Sequence, residues 1–358
     1  MRYGTCRKNS SRNRHMKYKL TAYSHGSGCG CKLSPGVLAD ILSNNEKLPE
    51  FKALLVGNDT SDDAAVIDLD GVTGIVSTTD FFMPIVDDPT DFGAIAATNA
   101  ISDIYAMGAE PIMAIAILGW PIDKLPASVA SEVLEGGREV CRKAGIPLAG
   151  GHSIDAPEPI FGLAVTGKVA IKDIKRNTGG KPGDLLYLTK PLGIGIVTTA
   201  QKKGLAEAED LEKAKNSMLT LNEIGSRLAQ FSHVHAITDV TGFGLGGHLL
   251  ELCDAGNVSA VLYQDNIPVF DFVEKYLQQN CVPGGTERNW KTYGDRILLK
   301  EDGFNKILAD PQTSGGLLLA VDGVSQNDFE SFMAINGYNV EPIGILDIKK
   351  SGNSIIVV

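Results

Sequence analysis

The sequence predicts two domains of mixed α+β or α/β type, on three observations. Its 358 residues exceed what one hydrophobic core usually serves. Strand-like and helix-like runs mix along the chain without strict alternation. The pattern starts afresh after KRNTGGKPGD, residues 175–184, a polar stretch punctuated by Gly and Pro that reads as a linker.

In chain order, Ser34 and Pro35 supply an N-cap and first helical residue for a helix through about Leu42. Strands are expected at 64–69 (AAVIDL) and 74–80 (GIVSTTD). Asp88-Pro89 opens a long helix, DFGAIAATNAISDIYAMG, which Gly108 closes. The apolar run PIMAIAILGW falls far short of the roughly 20 residues that span a bilayer, and reads as a buried strand centred on 112–118. A helix over 127–143 and strands at PLAGG and FGLAVTGKV follow. Beyond the linker come a strand at 185–189, helices, the strand AITDV, and LLLAV ahead of a helix and two further strands. No short repeat and no low-complexity tract interrupts this order.

Charge and cysteine content exclude several function classes. A net charge of −10 argues against a nucleic-acid surface, and it means that an anionic substrate must be held by local groups or metal ions. Six cysteines without framework spacing, in a chain that needs no disulfides for a core, fit a reducing cytoplasmic setting. No membrane partner is implied. From Met1 to Ala39 there are eight Lys or Arg and no Asp or Glu. That composition suits a transit peptide, but the apolar stripe of an amphipathic helix is missing; a flexible extension over 1–22, or a start at Met16, fits as well.

Glycine, 40 of 358 residues, concentrates in polar loops: GSGCG, GGHS (Gly150 to Ser153), TGFGLGGH, VPGGTERN and DPQTSGGL. Such loops let backbone N–H groups surround an anion, of which phosphate is the obvious case. The Walker pattern is absent. GxGxxG is present at Gly242, Gly244 and Gly247, with Asp265 about where a ribose-binding acid would lie; a tight helix start explains it equally.

Acids recur where apolar strands end. Asp62 and Asp63 lie in GNDTSDDAAV, Asp80 closes GIVSTTD, Asp239 closes AITDV, and Asp103 lies one helical turn after Asn99 on the same face. Each can be a solvated carboxylate or a cap. Converging carboxylates, however, repel one another unless cations intervene, and hard oxygen ligands point to Mg2+ shared with nucleotide phosphates. In SHGSGCGCK, His25, Cys29 and Cys31 offer an incomplete zinc set. A thiol beside Lys32 and the start of a helix would be nucleophilic, and an incidental pair of cysteines on a mobile arm is the plainer alternative.

YSHGSGCGCK, GNDTSDDAAV, STTDFFMPIVDDPTDFGAIAATNAISDIYAMGAEPIMAIAILGWP, LAGGHSIDAPEPIFGLAVTGKV, LTKPLGIG, TDVTGFGLGGH, VPGGTERN and DPQTSGGLLLAV together resemble the selenophosphate synthetase (selenide, water dikinase) family, from about Tyr23 to the C-terminus. The resemblance implies a two-domain aminoimidazole-ribonucleotide-synthetase-like fold. Residues 23–175 would form an ATP-binding domain with a mobile arm at 24–33, its strands joining a partner's in a barrel across a homodimer; residues 176–358 would form an α/β sandwich domain. The implied reaction turns ATP, selenide and water into selenophosphate, AMP and orthophosphate, with a selenium-delivery protein as a further partner. It further implies that Cys29 and Lys32 are catalytic and that Asp63, Asp103 and Asp239 bind Mg2+. Lys32, Thr60, Ser61, Asp62, Asp80 and Asp103 would contact ATP, with Gly151, His152 and Ser153 reaching it from the partner subunit. A sister ATP-dependent enzyme with another acceptor, or a thiol selenium carrier, are the rival readings.

Overall fold

The computed structural model describes residues 18–31, 37, 41, 51–57 and 62–358. Of the helix expected between Ser34 and Leu42 only Val37 and Ile41 are described, both helical; the start of the extension, Lys32, Thr60 and Ser61 lie outside the described residues.

Two sheets organise the chain. The first is built from β1 (Leu54–Val56), β2 (Ala65–Asp68), β3 (Thr73–Phe82), β4 (Glu110–Trp120), β5 (Leu148–Asp155) and β6 (Ile160–Ala170), in the order β1-β2-β3-β6-β4-β5. Neighbours are antiparallel except β4 and β5, whose parallel pairing requires the crossover helix between them. One face is covered by α1 (Pro89–Ala106) and α2 (Ala127–Lys143).

Helix α1 starts as its sequence dictates: the Asp88 side chain accepts from the Asp91 N–H at 2.9 Å, and Pro89 occupies the first turn, where its missing N–H costs nothing. Met107 and Gly108, the latter at φ +74°, end it. Apolar residues on all its sides demand cover all round, and α1 is buried along nearly its whole length between the first sheet and the second half of the chain. Gly93 and Gly136 permit the close α1–α2 crossing, since a Cβ on Gly93 would lie 1.8 Å from the Val133 carbonyl oxygen.

The second sheet comprises β7 (Asp184–Leu188), β8 (Val234–Asp239), β9 (Val258–Leu262), β10 (Ile297–Leu298), β11 (Leu317–Asp322), β12 (Gly344–Ile348) and β13 (Ile355–Val357), in the order β10-β13-β9-β12-β7-β11-β8. Helices α3 (Ile194–Lys202), α4 (Ala208–Met218), α5 (Ile224–Leu228), α6 (Gly244–Ala255), α7 (Val273–Gln278), α8 (Gly284–Tyr293), α9 (Asn305–Leu308) and α10 (Gln326–Ile335) complete it. Its central strands are buried on both faces, one against Leu245, Leu249 and Leu252 of α6, the other against Ile224, Leu228, Phe329 and Met333.

Several expectations need correction. The run around Ile112 is a strand but not a buried one: Ile112, Met113 and Ile115 are about 40% exposed, because nothing among the described residues covers the face of the first sheet opposite α1. GGHS is part of β5, not a loop. Segment 175–184 is packed: Lys175 is buried, donating from Nζ to the Phe231 and Val234 carbonyls at 3.1 and 2.6 Å. The GxGxxG stretch does not build a dinucleotide fold, since β8 has only the antiparallel β11 as neighbour and β9 lies elsewhere in the sheet. It is the tight helix start: a Cβ on Gly244, at φ +71°, would meet the Leu308 carbonyl at 2.6 Å.

Candidate active site

The acids gather where the two sheets meet along α1. On β3, alternation turns Thr78 and Asp80 toward α1. The strand runs on to Phe82, so Asp80 sits inside it and not at its end. Asp103 projects from the last turns of α1 and Asp239 closes β8; Asp80, Asp103 and Asp239 are all buried. Asp63 stands just before β2. Thr78 Oγ1 donates to Asp103 Oδ2 at 2.5 Å, and Thr238 Oγ1, from β8, donates to Asp63 Oδ1 at 3.0 Å. Strand, helix and second sheet thus each contribute a carboxylate or its hydroxyl partner.

Electrostatics confirms the convergence. Burial holds the Asp63 carboxyl well above the usual carboxylate range, and the nearby charges of Asp239, Asp103 and Glu251 push the same way against the Thr238 hydrogen bond. A cation would relieve this strain, and the donors are the hard oxygens that Mg2+ prefers. Among the described residues no set of three His, Cys, Asp or Glu is arranged to ligate a metal alone. Mg2+ commonly uses one or two carboxylates and draws its other oxygens from phosphates and water, so the donor set fits a metal shared with a nucleotide.

Asp62 behaves differently from its neighbour, accepting the Asn177 N–H at 2.7 Å and tying the first sheet to segment 175–184. Gly151, His152 and Ser153 are exposed on the edge strand β5. Through the pairs His152–Ile117, Ile117–Gly162 and Gly162–Phe81 they stand three strand spacings, roughly 14 Å, from the Asp80 region of their own chain. The structure does not bring them to the acids within one subunit.

Cys29 is brought in. Its side chain is wholly buried and its Sγ donates to Asn99 Oδ1 at 3.3 Å, while its N–H donates to Thr313 Oγ1 at 3.0 Å. Asn99 is the hub. Its Oδ1 also accepts the Ser314 N–H at 2.7 Å, and its Nδ2 donates to Asp80 Oδ2 at 2.7 Å. His25 is engaged elsewhere, its N–H and Nδ1 on the Glu158 carboxylate, and it is exposed whereas the Cys29 side chain is wholly buried.

Residue typing alone missed Asn99, Thr78, Thr238 and the Thr313-Ser314 turn. The signal for Asn99 was its position one helical turn from Asp103; for Thr313 and Ser314 it was DPQTSGGL, whose glycines serve close packing. A Cβ on Gly315 would lie 2.0 Å from the Val240 carbonyl oxygen. Lys190 was also missed: buried beside the acids, it donates to the Thr220 and Ser314 carbonyls at 2.7 and 2.9 Å, and burial pulls its ammonium down to about 7 against the opposing charge of Asp239.

Residues 61–169 match the N-terminal domain, and 181–356 the C-terminal domain, of AIR synthase related proteins. The chain is 59% identical over 342 residues to a selenide, water dikinase of Aeromonas hydrophila, covering 95% of this chain and 98% of that one. It is 58% identical to the selenide, water dikinase of Colwellia psychrerythraea, covering 92% and 95%. Among solved structures, a thiamine-monophosphate kinase from Stenotrophomonas maltophilia superposes with a TM-score of 0.63 at 19% identity, over 86% of this chain and 92% of that one, a likeness of fold. With both domain families matched in order and identity sustained over almost the full length of its relatives, the chain belongs to the selenide, water dikinase family.

Proposed function

We propose that the chain makes selenophosphate from ATP, selenide and water, releasing AMP and orthophosphate. The observation that carries this reading is the joining of Cys29 to Asp80 through Asn99, beside the mutually repelling Asp63, Asp103 and Asp239.

Hydrogen selenide is largely a monoanion at neutral pH, so the main obstacle is its approach to a polyanionic triphosphate. At about 4 Å and an effective dielectric near 20, each like-charge pair costs roughly 4 kcal/mol. Asp63, Asp103 and Asp239 would hold Mg2+, which when bound neutralises phosphate charge and polarises the phosphoryl group. Lys32 would add a second positive charge at the phosphates, and Thr60, Ser61, Asp62, Asp80 and Asp103 would orient the nucleotide for in-line attack.

The arm carrying Cys29 would exclude water during the first transfer and admit it for the second hydrolysis. Its closed position is supported by the Gly28 N–H to Met83 carbonyl bond of 3.0 Å and by the Cys29 contacts. Residues 23–175 then bind ATP and 176–358 supply Asp239 and the Thr313-Ser314 turn.

A homodimer follows from the same reading. Ile67, Phe81, Ile115 and Ile154 leave one face of the first sheet apolar and exposed in the single chain. A second copy closing a barrel there would bury it and bring Gly151, His152 and Ser153 toward the partner's ATP. No helix among the described residues is long and apolar enough to cross a membrane. We place the enzyme in the reducing cytoplasm, where a selenium-delivery protein would supply it.

Incubation with Mg-ATP under anaerobic reducing conditions, with and without selenide, tests the reading. Selenide-dependent AMP is expected. ADP as the final product would assign a sister ATP-dependent enzyme, and absence of hydrolysis a selenium carrier.

A further inference from the structure

The two steps of the proposed reaction make different demands on the protein. Hydrogenselenide is already an anion and needs no base, whereas the water of the second step is neutral and must lose a proton as it attacks phosphorus. The carboxylates at the site are committed to cation and nucleotide in that reading, which leaves the acceptor of this proton unassigned.

The TGFGLGGH stretch supplies one. Thr241 stands two residues beyond Asp239, and His248 lies in the second turn of α6. His248 Nδ1 meets Glu251 Oε2, three residues on along the helix, at 3.0 Å, and His248 Nε2 meets Thr241 Oγ1 at 3.3 Å. A carboxylate only accepts, so it fixes the ring proton on Nδ1 and leaves Nε2 to accept from the threonine hydroxyl. Hydroxyl, imidazole and carboxylate thus follow in the order that lets an imidazole take up a proton. Thr241 and His248 are both buried. Phe243 stacks on the imidazole with ring centroids 5.6 Å apart, and Gly247 permits it, since a Cβ there would lie 2.6 Å from the Phe243 Cβ. The Tyr293 hydroxyl donates to the Phe243 carbonyl at 2.6 Å and Asn289 Nδ2 to the Gly242 carbonyl at 2.9 Å, which fixes the turn.

Both ends of this array abut the site. The Gln312 N–H donates to the Thr241 carbonyl at 3.0 Å, next to the Thr313 hydroxyl that receives the Cys29 N–H. At the other end, the charge of Glu251 reaches Asp63. The other described histidines are placed differently. His25 is exposed on Glu158, and His152 is exposed on the edge strand β5. His233 and His235 lie at the far end of β8, His235 roughly 13 Å along the strand from Asp239.

We infer that His248 is the proton acceptor of the second step, working through the Thr241 hydroxyl, with Glu251 holding the ring in place. The inference rests on the selenide reading of the site. As the water oxygen bonds to the β-phosphorus of ADP, the bond from that phosphorus to the bridging oxygen breaks and AMP leaves. The water proton passes to Thr241 Oγ1 while the threonine proton moves to His248 Nε2. The products are AMP, orthophosphate and an imidazolium facing the Glu251 carboxylate, whose side chain is 26% exposed and gives the proton a way out to solvent. Hydrogenselenide has no use for the array, so its loss strikes one step and spares the other.

The test uses the full chain as wild type, His248→Gln, Glu251→Gln, Thr241→Val, Thr241→Ser and His152→Gln. Each is mixed with less than one equivalent of Mg-ATP and excess selenide under anaerobic reducing conditions, and ADP, AMP and selenophosphate are followed through a single turnover. When wild type has finished, the ratio of ADP to AMP is at least about 100-fold higher in His248→Gln and about tenfold higher in Glu251→Gln and Thr241→Val. Thr241→Ser returns most of that difference. A role in packing alone lowers ADP and AMP together and keeps the wild-type ratio, and that result overturns the inference. A raised ratio in His152→Gln without one in His248→Gln overturns it as well.

A second readout does not depend on turnover. Nitrogen-15 NMR of histidine-labelled protein at pH 8, with the His248 signals identified by their loss in His248→Gln, shows the wild-type ring protonated on Nδ1 and bare on Nε2. Glu251→Gln moves the tautomer ratio at least about fivefold toward Nε2–H. A wild-type ring protonated on Nε2 overturns the inference even in a protein that makes selenophosphate. The expected tautomer in a protein whose wild type forms no selenide-dependent AMP supports the array as a proton acceptor and overturns the functional reading instead.

Discussion

The two halves of the molecule bury their sheets differently. In the C-terminal sheet β7, β8 and β11 are covered on both faces by this chain's own helices. In the N-terminal sheet α1 and α2 cover one face, and the other presents Ile67, Phe81, Ile115 and Ile154 to solvent. A sheet covered twice reads as continuous apolar strands, LLYL or LLLAV, whereas one covered once alternates. Strand β3 alternates strictly along Val76 to Phe82, and that alternation turns Thr78 and Asp80 into the site. The C-terminal half covers its own sheet; the N-terminal half, which holds most of the acids, is in our reading completed by a cation at Asp63 and by a second copy on the bare face.

The largest expected effect falls on the acids. Asp239→Asn and Asp63→Asn each lower selenide-dependent AMP formation by at least about 1,000-fold, a loss of roughly 4 kcal/mol in transition-state stabilisation. Stability moves the other way for Asp63→Asn. Burial and then the charges of Asp239 and Asp103 raise the folded carboxyl above its unfolded value, so its contribution is fully present below the usual carboxylate range and is lost as pH rises through the raised value. Metal-free Asp63→Asn should therefore melt higher than wild type at pH 7.5, with the gap closing near pH 4. A lower melting temperature at pH 7.5 would break the picture of an N-terminal half waiting for its cation.

Cys29→Ser comes next. It keeps a donor toward Asn99 but loses the thiol, and turnover with selenide should fall at least about 100-fold while the melting temperature shifts little. Full activity would remove Cys29 from the chemistry and leave it as packing between arm and hub.

Ile115→Glu addresses the bare face directly. Sedimentation equilibrium should show dimer association weakened at least about tenfold in favour of monomer, with activity falling in parallel. The control is Ile335→Glu, on α10 of the C-terminal half and 86% exposed, which should change neither. If the two variants behave alike, the distinction between the halves fails.

The smallest effect belongs to Asp310, the carboxyl that the C-terminal half buries for itself. Its folded value of about 8 stands above the unfolded one, so stability falls as pH rises from about 4 to about 8, with a slope of at most about 1.4 kcal/mol per pH unit. Asp310→Asn should flatten that slope in urea titrations at pH 5 and pH 8.

Local signals were enough for much of this molecule. Asp88, Pro89 and Gly108 bound α1 because caps act within one turn, and the helix over 127–143 matches α2 residue for residue. The acids, the thiol and the family resemblance were equally open to reading, since motif chemistry needs only residue type and spacing. What lay beyond reach were facts of register and approach. The run around Ile112 looked buried because composition records how apolar a strand is and not how many of its faces have neighbours. GGHS looked like a loop because glycine marks both turns and close strand contact.

The sequence by itself thus determined which elements form and which side chains are capable of holding a phosphate and its metal, because capping, periodicity and ligand hardness are local properties. Tertiary structure alone decided that Asn99 joins Cys29 to Asp80, that Asp103 and Asp239 come within range of Asp63, and that Arg288 and Lys202 grip the arm around the thiol. Those pairings span from about twenty to more than two hundred and fifty residues of chain, and at such separations only the packing of α1 between two sheets selects who meets whom.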